Sequence, residues 1–288
     1  MKVSLILATA DRQELLMHAV VSILNQTYTN FEIIIIDQSD VFNNDVSKLD
    51  NRIKYYHINQ RGLSMARNIG IKSVTGEVVG FMDDDAFYTE SVLENVVSIF
   101  KKNNNNDIGL VCGKVVDCQT GEIYLRGMDN KFKCINLNNV LKCCISAAMF
   151  IKADFLRNNM FDERFGVGRY WGSAEETDVA LRLLYQGYKG VFDPKIVVKH
   201  PGCVKSELSF KKLESYSLGF GALVAKHILE YDNKRLMYMY ILILLKQIVG
   251  IALSVFTLNM HMINYYVVSL EAKVKGYFSY KNYKRKCY

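Results

Sequence analysis

The stretch "EVVGFMDDDAFYTESVLENV", Glu77 to Val96, sets an apolar β-rich run directly against three aspartates and then a segment with helical spacing. Carboxylates this crowded raise one another's pKa and repel unless a cation sits among them. A folded chain therefore splays such a cluster into water or gathers it around a metal. An apolar run that stops at acids is also how the carboxyl end of a buried parallel strand reads. Working outward, "VSLILAT" (3–9), "EIIIID" (32–37) and "IKYYHI" (53–58) repeat the same kind of run. "RQELLMHAVVSILNQ" after the first and "LSMARNIGIKSV" after the third space their apolar residues as helices do. The alternation predicts an α/β fold with a mostly parallel sheet covered by helices on both faces.

In such a sheet, ligands bind in the crevice outside the carboxyl ends of the strands. Thr9 and Asp11 follow the first run, Asp37 and Asp40 the second, and Asp83, Asp84 and Asp85 the fourth. A solvated turn accounts for any one of these acids; their joint placement at successive strand ends predicts a single acidic site. No G-x-G-x-x-G follows the first strand and no G-x-x-x-x-G-K-[ST] occurs, so a nucleotide diphosphate would meet this edge through a divalent cation. Ser91 and Glu94 make an S-x-x-E capping pattern farther on, which leaves the triple aspartate without a capping role.

"VSLILATADR", "FEIIIIDQSD", "GLSMARNIG", "GFMDDDAF" and "EETDVALRLLYQGYKGVFDPKIVVKHPG" occur in the order and approximate spacing of family 2 glycosyltransferases, which the chain resembles over roughly Met1 to Pro201. The resemblance implies the GT-A fold, Rossmann-like, and a nucleoside-diphosphate sugar donor, with UDP the expected nucleotide. It puts Thr9, Asp11 and Asp37 near base and ribose, with Arg67 and Asn68 as further donor-site residues. The family's D-x-D motif falls on Asp83 and Asp85, Asp83 toward the ribose and Asp85 holding Mn2+ or Mg2+ on the diphosphate, with Asp83 and His200 as the further metal candidates. Asp84, between the two motif aspartates, points the other way on strand geometry and takes a supporting role at the donor.

"GSAEETDVALRLLYQG" opens with Glu175, Glu176 and Asp178 ahead of a helical pattern. Acids in a first turn complement the helix dipole by roughly 0.3 to 1 kcal/mol each, and Asp178 can pair with Arg182 one turn on. The resemblance adds a sharper role: the second acid of a Glu-Asp pair in the family is the general base, which falls on Glu176 here, with Glu175 as competitor because Glu replaces Asp. His200, ending "KIVVKH", resembles a family histidine near the metal; a structural role is the alternative. Tyr170 and Trp171 are candidates for a platform under an acceptor sugar, with Asp178 beside them, although packing is the usual fate of a chain's only tryptophan.

The net charge of +7 points to an anionic partner, and its excess collects in the last residues, where Lys281, Lys284, Arg285 and Lys286 follow an apolar stretch, Leu236 to Leu258. Lys246 lies near the middle of that stretch, and a basic tail beyond a single span would sit on the wrong side for the positive-inside tendency. The expectation is a membrane-associating helical segment, peripheral or monotopic at the cytosolic face, with a buried or dimer-forming helix as the alternative and no nucleic-acid partner. Seven cysteines without regular spacing argue for a reduced, cytoplasmic chain rather than a disulfide framework or zinc site. The first residues lack a signal-peptide pattern. The expected layout is a catalytic domain over residues 1–215, with a donor half (1–105) and an acceptor half (106–215), followed by a helical, basic region over 216–288. Together these readings describe an inverting transferase that delivers sugar to a hydroxyl of a glycan, lipid-linked, in polysaccharide assembly. The competing classes are a noncatalytic sugar-nucleotide or membrane-binding module and a metal-dependent phosphoryl or nucleotidyl enzyme.

Overall fold

A computed structural model describes residues 1–102, 107–123, 128–202 and 209–286. The chain divides into two compact units, Met1–Phe161 with Glu176–Val204, and Asp162–Glu175 with Lys205–Tyr288. The division differs from a cut at residue 215, because the loop over 162–175 belongs with the C-terminal helices.

The first unit is built from β1 (Val3–Thr9), α1 (Gln13–Leu24), β2 (Phe31–Asp37), β3 (Ile53–His57), α2 (Leu63–Lys72), β4 (Val78–Asp83), β5 (Phe87–Tyr88) and α3 (Val92–Lys102). It continues through β6 (Ile108–Asp117), β7 (Lys133–Ile135), α4 (Val140–Cys143), β8 (Met149–Lys152), α5 (Ala153–Asn158), α6 (Glu175–Tyr185) and β9 (Lys189–His200). The strands join one sheet in the order β3-β2-β1-β4-β8-β6-β9-β5, with β7 paired to β9. β3, β2, β1 and β4 run parallel to one another. β8 enters antiparallel between β4 and β6, which restores the original direction in β6 and β9. The sheet is therefore mostly parallel, and its strands are apolar nearly throughout because both faces are covered; every residue of β2 is buried. Gly80 in β4 is where neighbours crowd in, since a Cβ there would lie 2.7 Å from Leu5 and Phe150 side-chain atoms.

One ionised group anchors the amino-terminal edge of this sheet. Glu32, opposite Ser4 in the β1–β2 register, is 2% exposed. It accepts from Ser4 Oγ at 2.6 Å and Thr75 N at 2.7 Å and pairs with Lys54 at 2.9 Å and Lys2 at 3.1 Å. Burial alone would raise its carboxyl, but the Ser4 hydroxyl, Lys54 and Thr75 outweigh burial and bring it down to about 2.

The second unit packs α7 (Phe210–Tyr231), α8 (Lys234–Phe256) and α9 (Met260–Lys286) with the 162–175 loop. α7 and α9 touch through glycine: a Cβ on Gly221 would stand 2.0 Å from Lys273 O, and one on Gly276 2.0 Å from Leu218 O. The loop is held by charge and by aromatic packing. Asp162 pairs with Arg164 at 2.5 Å and Lys226 at 2.8 Å. Trp171 packs with tilted rings 4.8 Å from Tyr280 and 5.0 Å from Phe165, and its Nε1 donates to Ser279 Oγ at 2.9 Å. Tyr280 is fully buried, so a cut after Lys234 would open this core by removing α9.

Because Glu32 has a folded pKa below the ordinary carboxylate value of about 4.3, its stabilisation is present above that value and is lost as pH falls toward 2. Thermal melting followed by circular dichroism should show wild type losing stability over that window. Glu32→Gln should melt lower than wild type at pH 7 and show a flatter acid slope; parallel slopes for the two proteins would remove Glu32 as the acid-sensitive group.

Candidate active site

The carboxyl ends of β1, β2, β4 and β9 carry the polar groups that the sequence places at one edge. Thr9 ends β1, is 3% exposed, and donates its hydroxyl to Asp84 Oδ2 at 2.8 Å. Asp11 adopts φ 57°, a left-handed conformation that Asp tolerates better than most residues, and its turn is stitched to the turn after β2. Asp11 N donates to Ser39 Oγ at 2.8 Å, and Asp40 N donates to Asp11 Oδ1 at 3.0 Å. Arg61 spans both turns, 2.5 Å from Asp11 and 2.8 Å from Asp40. The Asp40 amide and Arg61 hold the Asp11 carboxyl below its usual range. Asp37, fully buried at the end of β2, accepts from Ser39 N at 2.8 Å, Gln13 Nε2 at 3.1 Å and the Tyr55 hydroxyl.

The three aspartates at the end of β4 take different sets of partners; the strand stops at Asp83, and Asp84 and Asp85 lie in the turn beyond it, where strand alternation no longer sorts side chains. Asp83 faces the 2%-exposed Arg67, whose Nη2 lies 3.1 Å away and whose guanidinium sits 5.6 Å from the Phe81 ring and 5.5 Å from the Phe161 ring. Asp84 turns inward to Thr9 and to Arg12 Nη1 at 3.1 Å; burial pushes its carboxyl up more than these partners pull it down. Asp85 meets Arg12 at 3.2 Å and His200 Nε2 at 3.1 Å. Burial opposes ionisation of Asp85, but His200 and Arg12 outweigh it and hold the carboxyl below its ordinary value. Burial likewise opposes the His200 imidazolium, and Asp85 reverses that and raises the ring's pKa. The approach of Asp85 to His200 follows from topology. β5, just after the aspartates, pairs antiparallel with the end of β9, with Phe87 opposite Lys199, the neighbour of His200.

Asn68 lies on α2 beside Arg67 but spends its amide on the backbone of Phe161, donating to its O at 3.0 Å and accepting from its N at 2.9 Å. At the start of α6, Glu175 is 5% exposed and Glu176 half-buried. Ala174 just before them has φ 76°, a conformation that costs an L-residue on the order of 1 kcal/mol. Such strain is found where the chain must aim a functional group. Asp178 is fully buried and pairs with Arg182 at 3.0 Å, one turn along, while Arg182 also donates to Met160 O at 2.8 Å. Trp171 is 5% exposed and enclosed by the second unit's aromatic cluster; its neighbour Tyr170 is 61% exposed.

Sequence reasoning passed over Arg12, Gln13, Ser39, Tyr55 and Arg61. Arg12 was visible, one residue after Asp11, and the need of three adjacent carboxylates for countercharge was the signal. Among the described residues, no group of three or more His, Cys, Asp or Glu side chains is arranged to hold a metal ion by itself. The carboxylate–imidazole pair of Asp85 and His200 has the donor chemistry that Mn2+ or Mg2+ sites accept, with the remaining positions left to a bound ligand and water.

The family model for glycosyl transferase family 2 matches residues 4–161, more than half of the chain. A glucosyl-dolichyl phosphate glucuronosyltransferase of Haloferax volcanii is 28% identical over 255 residues, covering 82% of this chain and 77% of its own. The minor teichoic acid biosynthesis protein GgaB of Bacillus subtilis is 32% identical over 170 residues, 53% of this chain and 18% of its own length. The chain spans less than a fifth of the length of the first curated relatives it matches. Among solved structures, the mannosyltransferase PcManGT of Pyrobaculum calidifontis, in complex with GDP-Man and Mn2+, superposes with a TM-score of 0.65 at 16% identity, covering 96% of this chain and 87% of that one. The parallel sheet, with its acidic carboxyl edge, is thus a GT-A fold, and the chain belongs to glycosyl transferase family 2.

Proposed function

We propose that the protein is an inverting glycosyltransferase that moves a sugar from a nucleoside-diphosphate donor, UDP-linked, to a hydroxyl of a lipid-linked glycan in polysaccharide assembly. The observation that carries this reading is the convergence of Thr9, Asp37, Asp83, Asp84, Asp85 and His200 at one sheet edge of a family 2 chain, with arginines already in place among the acids. Asp11, Asp37 and the groups around them form the nucleoside end. Arg67 fixes Asp83 there by ion pairing, and Asn68 supports the same wall through Phe161.

Asp85 and His200 are the residues that would hold Mn2+ or Mg2+ on the diphosphate. Such a cation, when bound, supplies charge to the departing nucleoside diphosphate. Asp84 remains under Thr9 and Arg12 and keeps the loop's shape. Glu176, the more accessible of the adjacent acids, accepts the proton of the acceptor hydroxyl as that oxygen attacks the sugar, with Glu175 as the alternative base. One base and no covalent nucleophile give inversion at the anomeric carbon. Tyr170 offers an open ring for an acceptor sugar, while Trp171 holds the loop through packing and Asp178 steadies α6 through Arg182. Support for a lipid-linked acceptor at the cytosolic membrane face comes from α8, whose most apolar 18 residues are only 11% buried. The Haloferax relative, whose name carries a dolichyl phosphate acceptor, points the same way.

Calorimetry with UDP- and GDP-sugars in the presence of Mn2+ should give donor binding that Asp85→Ala abolishes; undiminished Mn2+-dependent affinity in that variant would remove Asp85 from the metal. Asp37→Asn should weaken the free nucleoside at least roughly tenfold even without metal, in line with a lost charge-assisted hydrogen bond. Equal affinity would take Asp37 out of the donor site. Glu176→Gln should cut turnover at least about a hundredfold with donor affinity retained, the size expected of a general base. The same profile in Glu175→Gln, with Glu176→Gln active, would transfer the role by one residue.

A further inference from the structure

Resting on the membrane reading above, we infer that α8 and α9 form a re-entrant hairpin whose tip enters one leaflet of an anionic bilayer, neither crossing it nor lying flat on it. The two helices are antiparallel arms of nearly matched length. Gly250 packs on the Tyr266 ring and the Tyr240 hydroxyl donates to Lys273 O at 3.0 Å, a register centred on Leu258. That register sets Lys246 on one arm level with Glu271 on the other. Between them, residues 247–270 contain no Asp, Glu, Lys or Arg. Both arms thus lose charge at the same level and regain it together.

The tip has the features of a hydrocarbon-facing turn. Leu253, Val255, Phe256, Leu258 and Met260 are 60%, 52%, 86%, 84% and 66% exposed. Leu258 has φ 53°, a conformation normally given to Gly or Asn, so an apolar side chain is displayed where backbone preference disfavours it. Much of the turn's backbone is satisfied from within: Leu258 N donates to Val255 O, Asn259 N to Ser254 O, Ile263 N to Asn259 O, and Met262 N to Asn259 Oδ1. Internal satisfaction is the condition for entering lipid.

Length and charge select the depth. From Lys246 to Leu258 the arm rises about 18 Å at about 1.5 Å per residue, against about 15 Å for half of a bilayer's hydrocarbon core. A span needs about 30 Å, or about 20 residues, and Lys246 interrupts the charge-free arm before that length is reached. α7 runs parallel to α9, and Phe210 meets His261 at 5.4 Å, so the exposed Lys211 and Lys212 stand beside the hairpin about 10 Å below its tip. These two lysines and Lys246 can reach headgroup phosphates by extending their stems. The exposed acids at these levels, Glu214 and Glu271, are fewer. Two signals, apolar insertion and basic contact, are what stable attachment takes.

The test uses the full chain and bromine-labelled lipids in phosphatidylcholine vesicles with and without phosphatidylglycerol. Phe256→Trp should be quenched most by bromines deep in the acyl chain and Tyr238→Trp, toward the base of α8, by none of them, after subtracting the signal of the native, buried Trp171. Phe256→Glu with Leu258→Glu should lower vesicle partition at least tenfold while the melting temperature stays that of wild type. Equal shallow quenching at both positions, or deep quenching at Tyr238→Trp, overturns the hairpin and leaves attachment standing. Failure of wild type to sediment with anionic vesicles sinks the attachment reading itself, and a dimer in solution that the double variant dissolves would assign the tip to a second copy of the chain.

Discussion

Three adjacent carboxylates cannot share the end of a buried strand without countercharge, and the first unit is organised around supplying it. The countercharges for the three aspartates at the end of β4 come from three different elements. Arg67 comes from α2 to Asp83, Arg12 from the turn after β1 to Asp84 and Asp85, and His200 from the end of β9 to Asp85. That arrangement requires β4 to sit beside β1 and the β5 segment to pair with β9, so the strand order is the precondition for the charge balance. Uncompensated, buried charges of this kind cost several kcal/mol each.

The second unit solves a different problem. Its loop, Asp162 to Glu175, would be a long irregular segment, and it is made rigid by a buried acid with two cations and by a tryptophan with a hydrogen-bonded indole. The chain then passes from the second unit back to the first at Glu175 and Glu176, the acids proposed for proton transfer. Groups that must hold a reacting geometry work best when their rotamers are locked by neighbours. The strained Ala174 and the buried Asp178–Arg182 pair bracket those two acids on either side.

How far the sequence could be read depended on how local each determinant was. β1 to β4, with α1 and α2, were legible because each is a long apolar or amphipathic run, and the acids at their carboxyl ends came with them. Strand alternation did not carry over to Asp84 and Asp85, because both lie in the turn after β4 and share Arg12 Nη1. β8, four residues long, and the antiparallel entry it makes between β4 and β6 left no periodic trace. Trp171 has partners, Ser279 and Tyr280, more than a hundred residues away, so its exposure could not be read from "GRYWGS". The same distance hid the assignment of the 162–175 loop to the C-terminal helices. Asn68 stands next to Arg67 in the sequence, yet its amide serves a backbone 93 residues on.

The countercharges at the aspartates also differ in what holds them. Arg67 is 2% exposed and pinned between the Phe81 and Phe161 rings, so its position is fixed by packing as much as by Asp83. Arg12 has a side chain 54% exposed and is held over Asp84 and Asp85 by charge-assisted hydrogen bonds of 3.1 and 3.2 Å. Solvent screening weakens an exposed pair to the order of 1 kcal/mol or less, whereas stranding a buried partner costs more. The edge therefore carries one cation built into the wall and one resting on its surface. The acids beneath the surface cation are accordingly unequal: Asp84, the more buried, has its carboxyl raised by burial, whereas Asp85, the more open, has its carboxyl lowered because His200 and Arg12 outweigh burial.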